Sequence, residues 1–116
     1  MGRLSTHVLD VSRGQPARGM RIELSRMIDG RAEPVATMAT NADGRTDVPL
    51  LAADALVTGK YRLQFHVADY FRSVGNVDAG KFLDVVPVEF VVADSSAAYH
   101  VPLLVSPWHY VTYRGS

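Results

Sequence analysis

The chain carries four histidines, His7, His66, His100 and His109. Imidazole changes charge near neutral pH, so these are the natural candidates for moving a proton to or from water. No two of them stand at the spacing of a helical metal site, and there is no cysteine to complete a zinc or thiol centre. A strand histidine is more often structural or superficial than catalytic, and two of the four read that way. His66 alternates with the apolar Tyr61, Leu63 and Phe65, which predicts a solvent-facing ring. His109 follows a Ser106-Pro107 turn. His7 and His100 are better placed. His7 shares a strand face with Leu9 and Val11, and His100 with Pro102 and Leu104. If those strands pair, both rings point into one half-apolar surface, where desolvation shifts an imidazole pKa and strengthens electrostatics. Periodicity does not say whether they pair.

Two further groups could join them. Arg45 directly follows Gly44 and opens a short run to Val48 that is expected to be a strand. A solvated turn arginine is the plain alternative. Tyr113-Arg114-Gly115-Ser116 presents a phenol, a guanidinium and a hydroxyl at the end of an aromatic strand. A frayed tail is the usual fate of such a segment, but the strand leading into it favours a docked one. Two patterns are set aside. Gly14 and Gly19 have phosphate-loop spacing, but Met20 stands where the lysine belongs. Asn41, Asp43 and Asp47 hint at a calcium loop that lacks its closing acidic residue, and a hairpin turn explains them better.

The elements that must position these residues are mostly strands. Met20, Ile22 and Leu24 alternate with Arg21, Glu23 and Ser25, a half-buried strand pattern. Asp29-Gly30 follows as a hairpin turn, and Val35 to Thr40 returns. Thr6 to Val11, Gly59 to His66, Val85 to Ala93, Ala98 to Val105 and His109 to Tyr113 read as further strands. Val67 to Val74 breaks the alternation and ends at Gly75, which predicts a two-turn helix. Leu50 to Val57 reads as either a helical turn or a loop. Seven or eight short strands with regular turn signals favour an antiparallel sandwich. Aspartates outnumber glutamates nine to three, as suits a turn-rich chain.

Composition narrows the function. With 116 residues, 47% hydrophobic and 21% charged, the chain is expected to form one domain over residues 1–116. Twelve basic and twelve acidic residues cancel, which argues against nucleic acid or an anionic membrane as the partner. Apolar runs are too short to span a bilayer. The N-terminal residues lack the apolar core of a secretory signal, and Arg-Gly-Ser is not a peroxisomal ending. A cytoplasmic protein is expected.

Several segments together resemble one family. Leu4-Ser5-Thr6-His7-Val8-Leu9-Asp10 with Gly14-Gln15-Pro16-Ala17 is similar to the start of the 5-hydroxyisourate hydrolases, members of the transthyretin-related proteins of the urate pathway. Asn41-Ala42-Asp43-Gly44-Arg45 resembles that family's arginine-bearing turn. Tyr61-Arg62-Leu63 and Tyr70-Phe71 fit its central segment. Tyr99-His100-Val101-Pro102-Leu103-Leu104 with Ser106-Pro107 fits its penultimate strand, and Tyr113-Arg114-Gly115-Ser116 its ending. The resemblance implies an all-β, transthyretin-like sandwich of two four-stranded sheets with one short helix. The first, fourth, seventh and eighth strands would share a sheet. It further implies a homotetramer with edge strands paired between subunits and sites in the channel where dimers meet.

The activity implied is hydrolysis of 5-hydroxyisourate without a cofactor or metal. His7, Arg45, His100 and Ser116 would be catalytic, and Tyr113 and Arg114 would bind substrate. A histidine would activate water and the arginine would stabilise the oxyanion; the choice between His7 and His100 stays open. The alternative is a non-catalytic transthyretin-like carrier of a small ligand, since one fold serves both. A third reading is an accessory sandwich with no site. The histidines, Arg45 and the ending separate the hydrolase from both. Pro102 and Pro87 lack a ladder donor and predict local irregularities.

Overall fold

The computed structural model describes residues 2–116; Met1, which opens the expected domain span, lies outside them. Nine strands form two sheets: β1 (Arg3–Asp10), β2 (Gln15–Pro16), β3 (Arg21–Ile28), β4 (Arg31–Ala39), β5 (Leu51–Ala52), β6 (Gly59–His66), β7 (Val85–Val92), β8 (Ala98–Val105) and β9 (Tyr110–Thr112). One helix, α1 (Val67–Ser73), follows β6, and a 3-10 turn covers Ala53–Ala55. The first sheet runs β2-β1-β8-β9, with β5 also on β1; the second runs β4-β3-β6-β7. Setting aside the two-residue β2, the first, fourth, seventh and eighth strands do share a sheet. β1 and β8 run parallel, whereas every other ladder is antiparallel.

Alternation builds the core. In β1, Leu4, Thr6, Val8 and Asp10 are buried while Ser5, His7 and Leu9 are only half covered. Tyr99, Val101, Leu103 and Val105 of β8 join them from the same side, opposite Ile22, Leu24, Tyr61, Leu63 and Phe65 of the second sheet. Asp29 and Gly30 both take positive φ, 52° and 77°, the geometry a two-residue hairpin requires. Helix α1 is amphipathic and packs Val67, Ala68, Tyr70 and Phe71 inward. Gly75 at φ 74° ends it. The Tyr70 hydroxyl donates to Asp10 Oδ2 at 2.7 Å, which ties the helix to the end of β1. Burial, with the Asp10 carboxylate beside it, pushes the Tyr70 phenol up to about 12.

Two expectations change. Arg45 to Val48 is not a strand. It is a run of bends and irregular backbone held by side chains on its own loop, and Pro49 follows it. The strand at this edge is Leu51–Ala52, paired with Leu4 and Arg3; the ambiguous Leu50 to Val57 thus holds a short strand and then a 3-10 turn. His66 is not a solvent-facing ring. Its side chain is 15% exposed, and its Nε2 lies 2.5 Å from Glu23 Oε1 of the neighbouring strand. It leaves the core face as the alternation requires, but a carboxylate covers it. Of the two prolines expected to cause irregularities, only Pro102 does; the β6–β7 ladder runs through Pro87 without a shift. Pro87 sits on the edge strand β7, exposed. Opposite Pro102 the β8–β9 ladder breaks after Leu103–Thr112 and resumes at His100–Gly115. Thr112 Oγ1 donates to the Pro102 carbonyl in the gap, at 2.8 Å.

Candidate active site

The parallel register of β1 and β8 brings the two histidines together. Ser5 pairs with His100 and His7 with Pro102, so Ser5, His7, His100 and Pro102 share the outer face of the first sheet. His7 and His100 are diagonal neighbours, about 8 Å apart at Cα by strand spacing.

Each ring is held by one nitrogen. His7 Nε2 lies 2.8 Å from the Asp43 carbonyl oxygen. A carbonyl only accepts, so Nε2 carries the hydrogen and Nδ1 is the free nitrogen. His100 Nδ1 lies 2.8 Å from Ser5 Oγ, and its Nε2 has no hydrogen-bond partner among the described residues. The His100 pKa is lowered from the usual 6.5, first by burial and then by the nearby Arg45, with smaller contributions from the neighbouring His7 and Arg3 side chains. The ring is therefore neutral at pH 7, as a base must be.

Arg45 reaches this face because its loop is built around Asn41. Asn41 Oδ1 accepts from the backbone N–H of Asp43 at 2.9 Å and of Arg45 at 3.2 Å. Asn41 Nδ2 donates to Asp47 Oδ1 at 3.0 Å, and the Asn41 N–H donates to the Arg45 carbonyl at 2.7 Å. Gly44 then docks the loop on β1: its carbonyl accepts from the Val8 N–H at 2.8 Å. At Gly44, φ is 76° and a Cβ would lie 2.3 Å from the Val8 carbonyl oxygen, so only glycine fits. The residues that looked like half a calcium loop are the frame that presents Arg45 and, through the Asp43 carbonyl, orients His7. The Arg45 guanidinium itself makes no hydrogen bond or ion pair among the described residues.

The chain ending is docked. The Gly115 N–H donates to the His100 carbonyl at 2.7 Å. A Cβ on Gly115 would lie 2.7 Å from His100 Cδ2, so the tail passes against the imidazole and leaves room only for hydrogen there. Ser116 follows one residue beyond. Tyr113 and Arg114 are not brought to the histidine face. The Arg114 guanidinium stacks 4.3 Å over the Tyr99 ring and donates to the Ala98 carbonyl at 3.1 Å. Both residues line a separate apolar cleft of about 370 Å³ with Val88, Phe90 and Val101. His109 is exposed and turned to its own loop, with Nδ1 3.5 Å from Ser106 Oγ.

Reading the residues by type passed over three contributors. Ser5 shares the parity of His7, a signal that the β1–β8 register makes useful. Arg3 shares it too and lines a cavity of about 190 Å³ with Ser5 and Arg45. Gly115 gave no sign of its contact with His100 beyond lying in a distinctive ending.

The profile of the HIUase/Transthyretin family matches residues 4–115. The chain belongs to that family. Within it, the chain is 51% identical to the 5-hydroxyisourate hydrolase of Deinococcus radiodurans over 113 residues, 97% of this chain and 95% of that protein. Among solved structures of the HIUase/Transthyretin fold, (S)-allantoin synthase superposes with a TM-score of 0.92 at 43% identity. This chain is covered over 99% of its length and spans 44% of that longer one. Sea bream transthyretin in complex with thyroxine gives a TM-score of 0.88 at 28% identity, covering 97% of this chain and 94% of that one. The transthyretin-like sandwich is thereby established. No helix among the described residues is long and apolar enough to cross a membrane.

Proposed function

We propose that this chain hydrolyses 5-hydroxyisourate, opening the lactam of its six-membered ring to 2-oxo-4-hydroxy-4-carboxy-5-ureidoimidazoline. The observation that carries the reading is the outer face of β1 and β8. There His7, His100 and Arg45 converge with no carboxylate bonded to any of them among the described residues. Relatives at about half identity are named for this activity. A carrier reading gives no role to a neutral histidine oriented by a serine, nor to an unpaired arginine on a built loop.

His100 is the general base in this reading. Its depressed pKa keeps Nε2 able to accept a proton at pH 7. His7, anchored through Nε2–H, offers Nδ1 to hold the attacking water. As the water oxygen bonds to the lactam carbon, its proton passes to His100. The charge that develops on the carbonyl oxygen is met by the fixed donors of Arg45. The carbon–nitrogen bond then breaks, and His100 returns the proton to the departing ring nitrogen. Water is the nucleophile throughout, so Ser116 forms no acyl intermediate; its hydroxyl hydrogen-bonds the substrate or the water. Tyr113 and Arg114 serve the site by anchoring the tail that carries Ser116.

We assign the same reading a homotetramer in the cytoplasm, with β7 and β9 edges paired between subunits and the sites in the channel between dimers. Val91 and Val111 support it: both are large apolar side chains exposed on edge strands. Light scattering should return four times the 12.7 kDa chain mass; a monomer would refute the assembly.

The activity is tested by generating 5-hydroxyisourate in place from urate with urate oxidase and following its ultraviolet decay. Acceleration by the wild type, lost in His100→Ala and Arg45→Ala, is expected. Unaccelerated decay with a folded protein would sink the hydrolase reading.

A further inference from the structure

The cavity that Ser5 and Arg45 line holds a second guanidinium that the mechanism does not use. Arg3 opens β1 on the same parity as Ser5 and His7, and it pairs with Ala98 of β8 and Ala52 of β5. Its backbone N–H donates to the Ala97 carbonyl at 3.3 Å, so its main chain is fixed without help from the side chain. That side chain is exposed and makes no ion pair or hydrogen bond among the described residues. Arg3 and Arg45 line the same cavity of about 190 Å³, with Ser5, Thr46 and Asp47. The one carboxylate there, Asp47, already accepts from Asn41 through Oδ1. Two like charges facing one small cavity repel each other unless an anion or an oxygen-rich group lies between them. Guanidinium is the side chain whose planar fork suits a carboxylate or a pair of carbonyl oxygens. That the field of Arg3 reaches the chemistry is seen at His100, whose pKa it helps to lower.

We propose that Arg3 is a second substrate-binding residue, which with Arg45 forms an anion clamp for the oxygen-rich edge of the ring and for the carboxylate that ring opening creates. The identity of that ring rests on the hydrolase reading; the clamp for a carboxylated six-membered lactam does not. Arg3 binds rather than transfers protons, so its removal acts on affinity more than on turnover.

The test uses the full chain as wild type, Arg3→Ala and Arg3→Lys, with Arg21→Ala on the other sheet as a charge-matched control. Two readouts are taken. The first is kcat and KM on 5-hydroxyisourate. The second is calorimetric titration with orotate, a planar six-membered lactam bearing a carboxylate, and with uracil, the same ring without it. Arg3→Ala should raise KM about five- to tenfold and leave kcat within about twofold, as expected for losing one charge-assisted contact at a partly solvated site. Orotate should bind the wild type more tightly than uracil does and lose affinity by a similar factor in Arg3→Ala, with uracil unchanged. Arg3→Lys should recover part of the loss, and Arg21→Ala should match the wild type. An Arg3→Ala protein that binds orotate as the wild type does overturns the clamp. So does a wild type that fails to prefer orotate over uracil. A wild type that leaves 5-hydroxyisourate decay unchanged refutes the hydrolase reading instead, and the titration still decides the clamp.

Discussion

The outer faces of the two sheets carry the same residue types and treat them oppositely. On β3, β6 and β7 the outward-facing Arg21, Lys60 and Arg62 each have a carboxylate. Arg62 and Lys60 both bond Glu89, at 3.0 Å each. Arg21 lies 3.4 Å from Glu23, and Glu23 also bonds His66. His66 holds the Glu23 carboxyl below its ordinary 4.5, chiefly through that hydrogen bond. Lys60 and Arg62 do the same for Glu89. On β1 and β8 the histidines face a carbonyl oxygen, a hydroxyl and guanidiniums, with no carboxylate bonded to them. His66 has its Nε2 taken up by the Glu23 carboxylate that covers it, so that nitrogen is not open to water or substrate. A histidine pressed by positive charge stays neutral and has a lone pair to use. What each ring nitrogen faces, not the presence of histidine, separates the two faces.

The comparison breaks first at the imidazoles. His100→Ala should cut kcat/KM by about 10²- to 10⁴-fold, the usual worth of a general base, whereas His66→Ala should leave it within about twofold; comparable losses in both would erase the distinction. Arg45→Ala should cost about 10²- to 10³-fold in kcat through loss of the oxyanion donors, with an unchanged circular dichroism spectrum. Its residual activity carries a second signature. Arg45 helps depress the His100 pKa, so removing it makes protonation easier and moves the acid limb of the pH–rate profile upward toward 6.5. A limb that stays put, or moves down, would show that Arg45 does not act on His100.

Smaller effects sharpen the picture. Gly44→Ala places a side chain at positive φ against the Val8 carbonyl and should cost about 1–3 kcal/mol of stability, read as a lower melting temperature with activity falling as well. Full stability would mean the loop relaxes without penalty, and the docking argument would fail. Glu23→Gln should not change activity. The Glu23–His66 contact contributes stability above the unfolded carboxyl pKa of 4.5 and loses it as pH falls through the lower folded value. The variant should therefore show a flatter decline of urea midpoint below pH 4.5 than the wild type; parallel declines would remove Glu23 from the acid response.

Much of the strand pattern was legible because alternation is local. β8 is Ala98–Val105 as expected, and Asp29-Gly30 makes the hairpin. Arg45 to Val48 was misread because its short alternation mimics a strand, while its conformation is set by Asn41, four residues before Arg45. His66 was misread because its cover, Glu23, comes from another strand. Tyr113 and Arg114 stand beside the docked tail in sequence, yet Arg114 turns to Tyr99 on the inner side.

What the sequence by itself determined is the two-sided character of each strand, the turns, the short helix and the inventory of two histidines, an arginine and a distinctive ending. These depend on neighbours within a few residues, where backbone preference and burial act directly. What only the tertiary structure decided is the parallel register of β1 on β8. Ninety-five residues separate Ser5 from His100, and no local preference spans that distance. Packing of two sheets chose that register, and with it which histidine meets a serine, which arginines share a cavity, and which face carries unpaired positive charge.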